Sequence, residues 1–109
     1  MEPLTTQIAK LGHFTRPPSK ETLDLAESVG TMLSIEHSVP KLYIDDYGSA
    51  DLFWSGLNLT ATLDAEEDFV CIHIKGQPIM VVELVNDDKA SEAIKIIQQT
   101  IDQKIKKPS

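Results

Sequence analysis

Residues 57–74, LNLTATLDAEEDFVCIHI, decide the fold. Every second residue from 57 to 63 is apolar, and a β-rich run begins at Phe69. Such alternation predicts a strand with one face in the core and the other in water. The acidic segment 64–68 between the two runs has the polar composition of a turn. We therefore predict two consecutive antiparallel strands at the centre of the sequence.

The same signals predict further strands on both sides of this pair. Upstream, Leu42 and Ile44 alternate with polar neighbours, and downstream residues 79–85 form another β-rich run. Residues 51–63 fit either one long strand bulged at Gly56 or two strands with a tight turn, and we prefer the single bent strand. The prediction is an antiparallel β-meander of about four strands.

Helical periodicity occurs before and after the strands. Apolar spacing in residues 3–11 predicts a short N-terminal helix, and Ser19 is placed to cap a second helix from about 20 to 34. Residues 86–88 are suited to begin one long C-terminal amphipathic helix. Its apolar stripe consists of Ala90, Ile94, Ile97, Ile101 and Ile105. Helices segregated from an antiparallel sheet define the α+β class, here with two N-terminal helices.

Gly30 lies inside the second predicted helix. Glycine costs about 1 kcal/mol relative to alanine at such a position. It indicates either that another element approaches closely at this point or that the helix frays early. The sequence leaves both interpretations open.

Length and composition indicate a single domain over residues 1–109. The chain is 41% hydrophobic and 25% charged, which is ordinary globular usage, and it is too short for two cores. We predict a core over residues 19–107, and an arm or short helix over residues 1–18, which end at a Pro17-Pro18 break. No apolar run approaches the roughly 20 residues of a membrane span, and no secretory pattern is present, so we expect a cytoplasmic protein without membrane contact.

Acidic residues dominate the centre of the chain. The net charge is −7, and seven acids but no lysine or arginine lie between Leu42 and Ile74. Such a region repels phosphates, so we expect no direct binding of nucleic acid and an attraction to a protein partner with a basic surface. In a variant of this interpretation, the carboxylates imitate a phosphate backbone. The alternative is that these acids only keep turns soluble.

Cys71 and His73 are the best candidates for catalysis, because residues two apart on a strand share a face. A nucleophilic cysteine also needs an oxyanion hole and a group that orients the histidine. The apolar neighbours of Cys71 favour a packed, inert thiol instead. Motifs of nucleotide-binding loops, serine hydrolases and zinc proteases are absent from the sequence. We therefore predict no catalytic residues, no cofactor and no bound metal.

Aromatic residues accompany the acids, and this combination is typical of protein interfaces. Strand alternation sends Phe53 and Trp54 to opposite faces, so we expect one of them to lie in the core. We predict the following partner-binding residues: Tyr43, Asp45, Asp46, Tyr47, Asp51, Trp54, Glu66, Glu67 and Asp68.

Taken together, these features favour a small acidic, non-enzymatic protein-binding module, such as an inhibitor, an antitoxin-like protein or an anti-defence factor. One alternative is an assembly or accessory subunit that self-associates, as a homodimer, through the isoleucine helix or an unpaired edge strand. Another alternative is an unrecognised enzyme that uses Cys71 and His73.

Overall fold

A computed structural model describes residues 3–9, 19–35, 37–45 and 48–105 of the chain. The helices are α1 (Leu4–Ala9), α2 (Lys20–Leu33) and α3 (Lys89–Thr100). The strands are β1 (Lys41–Ile44), β2 (Ala50–Trp54), β3 (Leu59–Asp64), β4 (Phe69–Ile74) and β5 (Met80–Glu83). Helices and strands are segregated along the chain, which confirms the α+β class.

The five strands form one antiparallel sheet in the order β1-β2-β3-β4-β5. This confirms the predicted meander, but the strands number five rather than about four. The preferred single bent strand over residues 51–63 is wrong, because Ser55–Leu57 form a 3-10 turn and Asn58 follows with a φ of 49°. Asparagine tolerates this left-handed conformation. The chain therefore reverses, and Trp54 pairs with Leu59.

Both longer helices begin at predicted cap residues. The Ser19 hydroxyl accepts a hydrogen bond from the Thr22 amide at 3.1 Å, and the Asp88 carboxylate accepts one from the Ser91 amide at 3.1 Å. The last helix continues as a π-helical turn, Ile101–Ile105. Since α1 has only six residues, two helices rather than the predicted three supply most of the helical structure. No helix in the described ranges is long and apolar enough to cross a membrane.

α1 packs against α2 at Gly30. Leu4 of α1 is 3% exposed, and a Cβ atom added to Gly30 would collide with its Cδ1 atom. Close approach of another element is therefore the correct interpretation of this glycine. The predicted break at Pro17 and Pro18 lies outside the described residues.

The helices pack on one face of the sheet. In β3 every apolar residue is buried, whereas the intervening threonines are half-buried. The buried strand residues share one hydrophobic cluster with Val29 of α2 and with Ile97 and Ile101 of the last helix. Part of the predicted isoleucine stripe thus lies in the core. In the described part of the chain, the opposite face of the sheet has no covering layer.

Candidate functional site

We name the uncovered face of the sheet the open face. Its side chains alternate with the core residues of every strand, and each of them is half-buried or exposed. They are Lys41, Tyr43, Asp51, Phe53, Thr60, Thr62, Phe69, Cys71, His73, Val81 and Glu83. The predicted partner-binding residues Asp46 and Tyr47 lie outside the described residues.

One row of five side chains crosses the centre of the open face. In order across the sheet, the paired residues are Tyr43, Asp51, Thr62, Cys71 and Val81. Residues directly opposite each other on antiparallel strands have Cβ atoms about 4.5–5.5 Å apart, so neighbours in this row can touch. The row brings two predicted partner-binding residues, Tyr43 and Asp51, together with the predicted catalytic candidate Cys71.

Asp51 is the half-buried carboxylate of this row. The Thr62 hydroxyl donates a hydrogen bond to its Oδ1 atom at 2.7 Å. Burial raises the pKa of Asp51 above its ordinary value, the Thr62 hydrogen bond acts in the opposite direction, and the negative charge of Asp45 raises the pKa further. Asp51 forms no ion pair with another described residue. A cation bound here would offset part of the cost of holding a charge at this position.

The two adjacent aromatic residues of β2 lie on opposite faces, as alternation predicts. Trp54 is 1% exposed and belongs to the core, so its prediction as a partner-binding residue is wrong. Phe53 is half-buried on the open face instead. Tyr43 is 46% exposed there, and the Lys41 Nζ atom lies 5.4 Å from the centroid of its ring. The open face thus has aromatic surface available for contact.

The acidic turn between β3 and β4 lies at one end of the sheet. Asp64 Oδ1 accepts hydrogen bonds from the amides of Glu66 and Glu67 at 2.9 and 3.0 Å. Asp68 forms a salt bridge with Lys89. The side chains of Glu66 and Glu67 are exposed. A partner could therefore contact these two predicted binding residues without breaking the hydrogen bonds of Asp64 or the salt bridge of Asp68.

Both longer helices begin at the same end of the sheet. The Ala65 amide donates to the Thr22 hydroxyl in the first turn of α2, and the Ala65 carbonyl accepts from Lys89 Nζ at the start of α3. Asp45 lies at this end too, where its carboxylate accepts a hydrogen bond from the Ser49 amide. Acids near helix N-termini stabilise the helix dipole, so part of the acidity at this end has a structural explanation.

The opposite end of the open face is basic. Lys41 and Lys75 lie there, and a shallow depression of about 370 Å³ occupies this end. The depression is lined by Phe53, Asn58, Thr60, His73, Lys75 and Gly76. Charge therefore changes sign along the open face, which would orient any charged partner.

Cys71 and His73 share the open face, as their spacing predicts. Burial is the main cause that raises the pKa of the Cys71 thiol, and the negative charge of Asp51 adds to it. A nucleophilic cysteine needs the opposite shift, because the thiolate is the reactive form. Among the described residues, no group of three or more His, Cys, Asp or Glu side chains could hold a metal ion.

Phe53, Thr62 and Val81 lie on the open face but were not among the predicted partner-binding residues. Phe53 could have been predicted from Asp51, because residues two apart on a strand share a face and Asp51 was a predicted binding residue. The cross-strand neighbours Thr62 and Val81 depend on the pairing register. That register could not be assigned while residues 51–63 were interpreted as a single strand.

Comparisons with known proteins do not indicate a function for this chain. No protein-family model matches the chain, and neither the curated proteins nor the solved structures contain a significant match to it. Any functional proposal therefore depends on the geometry and charge of the described residues.

Proposed function

We propose that this protein is a non-enzymatic binding module that receives a basic segment of a partner protein on its open face. The observation that carries this proposal is Asp51, a half-buried carboxylate without a cationic partner among the described residues, on a sheet face that the helices do not cover. An inhibitor, antitoxin-like or anti-defence role, in which the module masks a basic surface of a cytoplasmic target, is the specific form of this proposal.

The chemistry around Asp51 suits an arginine or lysine side chain. Tyr43 lies directly opposite Asp51 on the neighbouring strand, so an arginine or lysine that pairs with the carboxylate would pack its methylene groups against the tyrosine side chain. Thr62 already holds one carboxylate oxygen through its hydroxyl, which fixes the orientation of Asp51. Aromatic residues are enriched in protein interfaces, and a charge that becomes buried there is stable only when it is paired.

The charge gradient of the open face supports a defined orientation of the partner. Basic groups of the partner would lie over the half that contains Asp51 and Glu83, and away from Lys41 and Lys75. Because the net charge of the chain is −7, long-range attraction would also accelerate the encounter. Binding should therefore weaken as the salt concentration rises.

Site-specific photo-crosslinking in cells that contain the native partners tests the proposal. A benzoyl-phenylalanine residue is placed at Phe69, which is half-buried on the open face and lies opposite Glu83, or at Ser28, which is exposed on α2. We expect one crosslinked partner from position 69 and none from position 28. Crosslinking from position 28 alone, or to the same partners from both positions, would contradict the proposal.

Charge-neutralising variants then identify the acids that matter. Asp51→Asn should weaken the crosslink at position 69, whereas Asp24→Asn, which removes an equal charge from the exposed side of α2, should not. The paired variant Glu66→Gln with Glu67→Gln tests the acidic turn separately. If only that paired variant abolished crosslinking, binding would belong to the turn and not to the open face.

A further inference from the structure

The two outer strands of the sheet are treated differently by the rest of the chain. At the β1 edge, the Leu42 amide donates a hydrogen bond to Gln7 Oε1 at 2.7 Å, and Gln7 Nε2 donates to the Pro40 carbonyl at 3.0 Å. The side-chain amide of Gln7 thus takes the place that a peptide group of a neighbouring strand would occupy. Gln7 of α1 therefore occupies part of this edge and obstructs further strand pairing there.

The β5 edge has no comparable cover among the described residues. The Leu84 amide donates to the Asp68 carbonyl at 2.7 Å, so Leu84 directs its peptide groups toward β4. The direction of the backbone groups alternates along a strand. The amide and carbonyl of Val82 therefore also point toward β4, whereas those of Val81 and Glu83 point outward. No described residue forms a hydrogen bond with these outward groups.

The free stretch of edge ends just after β5. Glu92 Oε1 accepts hydrogen bonds from the amides of Val85 and Asn86, at 2.7 and 3.0 Å. The Glu92 side chain thus binds the backbone amides just beyond β5. The outward backbone groups of Val81 and Glu83, within β5, have no such partner among the described residues. A partner strand would therefore align with Val81 and Glu83.

Exposed apolar side chains are concentrated at this edge. Ile79, Val81 and Val85 are 63%, 68% and 76% exposed. Monomeric proteins commonly protect a free edge with charged residues, proline or a bulge, and β5, MVVE, has only one such feature, the charge of Glu83 at its end. An edge of this composition is suited to pair with another strand.

We propose that β5 pairs with β5 of a second copy of this chain, antiparallel and across a two-fold axis, so that two five-stranded sheets become one continuous sheet. A second copy fits this edge because, in an antiparallel pair, the outward amide and carbonyl of a residue match those of the same residue in the other copy. Because Gln7 obstructs the β1 edge, pairing stops at the dimer. This inference is independent of the binding of a basic partner on the open face.

A two-fold axis beside Val81 gives a favourable register. The outward groups of Val81 pair with their own copies, and Glu83 of each chain lies beside Ile79 of the other. The two Glu83 side chains are then four residues apart along the strands, about 14 Å, which exceeds the Debye length of about 8 Å at physiological salt. In this register the two Val81 side chains lie beside each other, and each Ile79 is a diagonal neighbour of Val81 in the other chain.

Net charge gives the dimer a distinctive salt dependence. Each copy has a net charge of −7, so repulsion between the copies opposes association at low salt. Added salt screens this repulsion and should tighten the dimer. A basic extended segment that added to β5 instead would show the opposite salt dependence.

Sedimentation equilibrium of the full chain at low and high salt tests the proposal. We expect a concentration-dependent mass that rises from 12.1 kDa toward twice that value, with tighter association at high salt. Val81→Pro removes an outward amide that the monomer does not use, so it should raise the dissociation constant about tenfold or more without unfolding the chain. Val81→Lys should have a similar effect through charge.

A matched control and a second measurement separate dimer loss from misfolding. Ile35→Lys places the same charge at another apolar residue, which is 75% exposed. This variant should dimerise with the same dissociation constant as the wild type. Amide hydrogen exchange at Val81 and Glu83 should slow as the protein concentration rises. A monomer at all concentrations, a dimer that is insensitive to both Val81 variants, or a dimer that salt weakens would overturn the proposal.

Discussion

The hydroxyl of Thr22 accepts a hydrogen bond from the backbone amide of Ala65, with 3.1 Å between Oγ1 and nitrogen. Thr22 belongs to the first turn of α2 and is 1% exposed, whereas Ala65 lies in the turn between β3 and β4. The Ser19 hydroxyl in turn donates to Thr22 Oγ1 at 3.0 Å. The residues that cap α2 therefore also fix the acidic turn, and helix and sheet meet through this contact.

Thr22→Val should lower the free energy of unfolding by about 1–3 kcal/mol, because it leaves the buried Ala65 amide without an acceptor. Thr22→Ser keeps the hydroxyl and serves as the control. Urea unfolding followed by the fluorescence of Trp54, the single and buried tryptophan, measures the difference. A valine variant as stable as the wild type would show that this hydrogen bond contributes little.

Gly30→Ala should destabilise the protein, although alanine is normally the better helix former by about 1 kcal/mol. The added methyl group would collide with Leu4 Cδ1. Thr31→Ala, at an exposed position of the same helix, is the control and should not destabilise it. In a Leu4→Ala background the penalty of Gly30→Ala should shrink, and stabilisation by Gly30→Ala in the wild-type background would contradict the packing of α1 on α2.

Asp51→Asn should become more stabilising, relative to wild type, as the pH rises. Burial raises the pKa of Asp51 above 3.8, so the folded state binds its proton more tightly than the unfolded chain. Ionisation of Asp51 therefore lowers the stability of the wild type as the pH rises from 3.8 through the raised pKa. Asparagine does not ionise, and its side-chain oxygen can still accept the Thr62 hydrogen bond.

Urea unfolding of both proteins at about pH 7 and at a pH below 3.8 measures this effect. Asp24→Asn, on the exposed side of α2, controls for the change in net charge. A stability difference between wild type and Asp51→Asn that is the same at both pH values would mean that the folded environment does not shift the titration of Asp51.

Cys71 should react slowly with iodoacetamide at neutral pH, because burial and then the charge of Asp51 raise the pKa of its thiol. Asp51→Asn should accelerate the reaction, since it removes the second of these causes, while Asp24→Asn should not. Alkylation rates followed by mass spectrometry measure both effects. Alkylation of the folded wild type faster than that of a small free thiol would instead support the enzyme alternative.

The sequence predicted those parts of the fold that depend on local chemistry. Ser19 was assigned as a helix cap, and residues 86–88 as the start of the last helix, because such side chains bind nearby amides; the structure has these contacts at Ser19 and Asp88. Strand alternation correctly assigned Cys71 and His73 to one face. The single bent strand was preferred because Gly56 was interpreted as a bulge. In the structure, the chain reverses direction at Asn58, which adopts the left-handed conformation.

The candidate site could be predicted only in part. Tyr43 and Asp51 lie on the open face, and parity along β2 adds Phe53. The acids at positions 66–68 are close in sequence to β3 and β4, but they lie in the turn between these strands and not on the open face. Charge density along the sequence was therefore a poor guide to charge density on a surface, since a turn and the middle of a strand project in different directions.

By itself, the sequence determined which residues share a strand face, where the longer helices begin and how acidic the chain is. Only the tertiary structure decided that Trp54 faces the core and Phe53 the open face, that Leu4 packs on Gly30, and that Gln7 occupies part of the β1 edge. Alternation defines two faces but does not distinguish them. The distinction comes from helices distant in sequence, which bury one face and leave the other without cover.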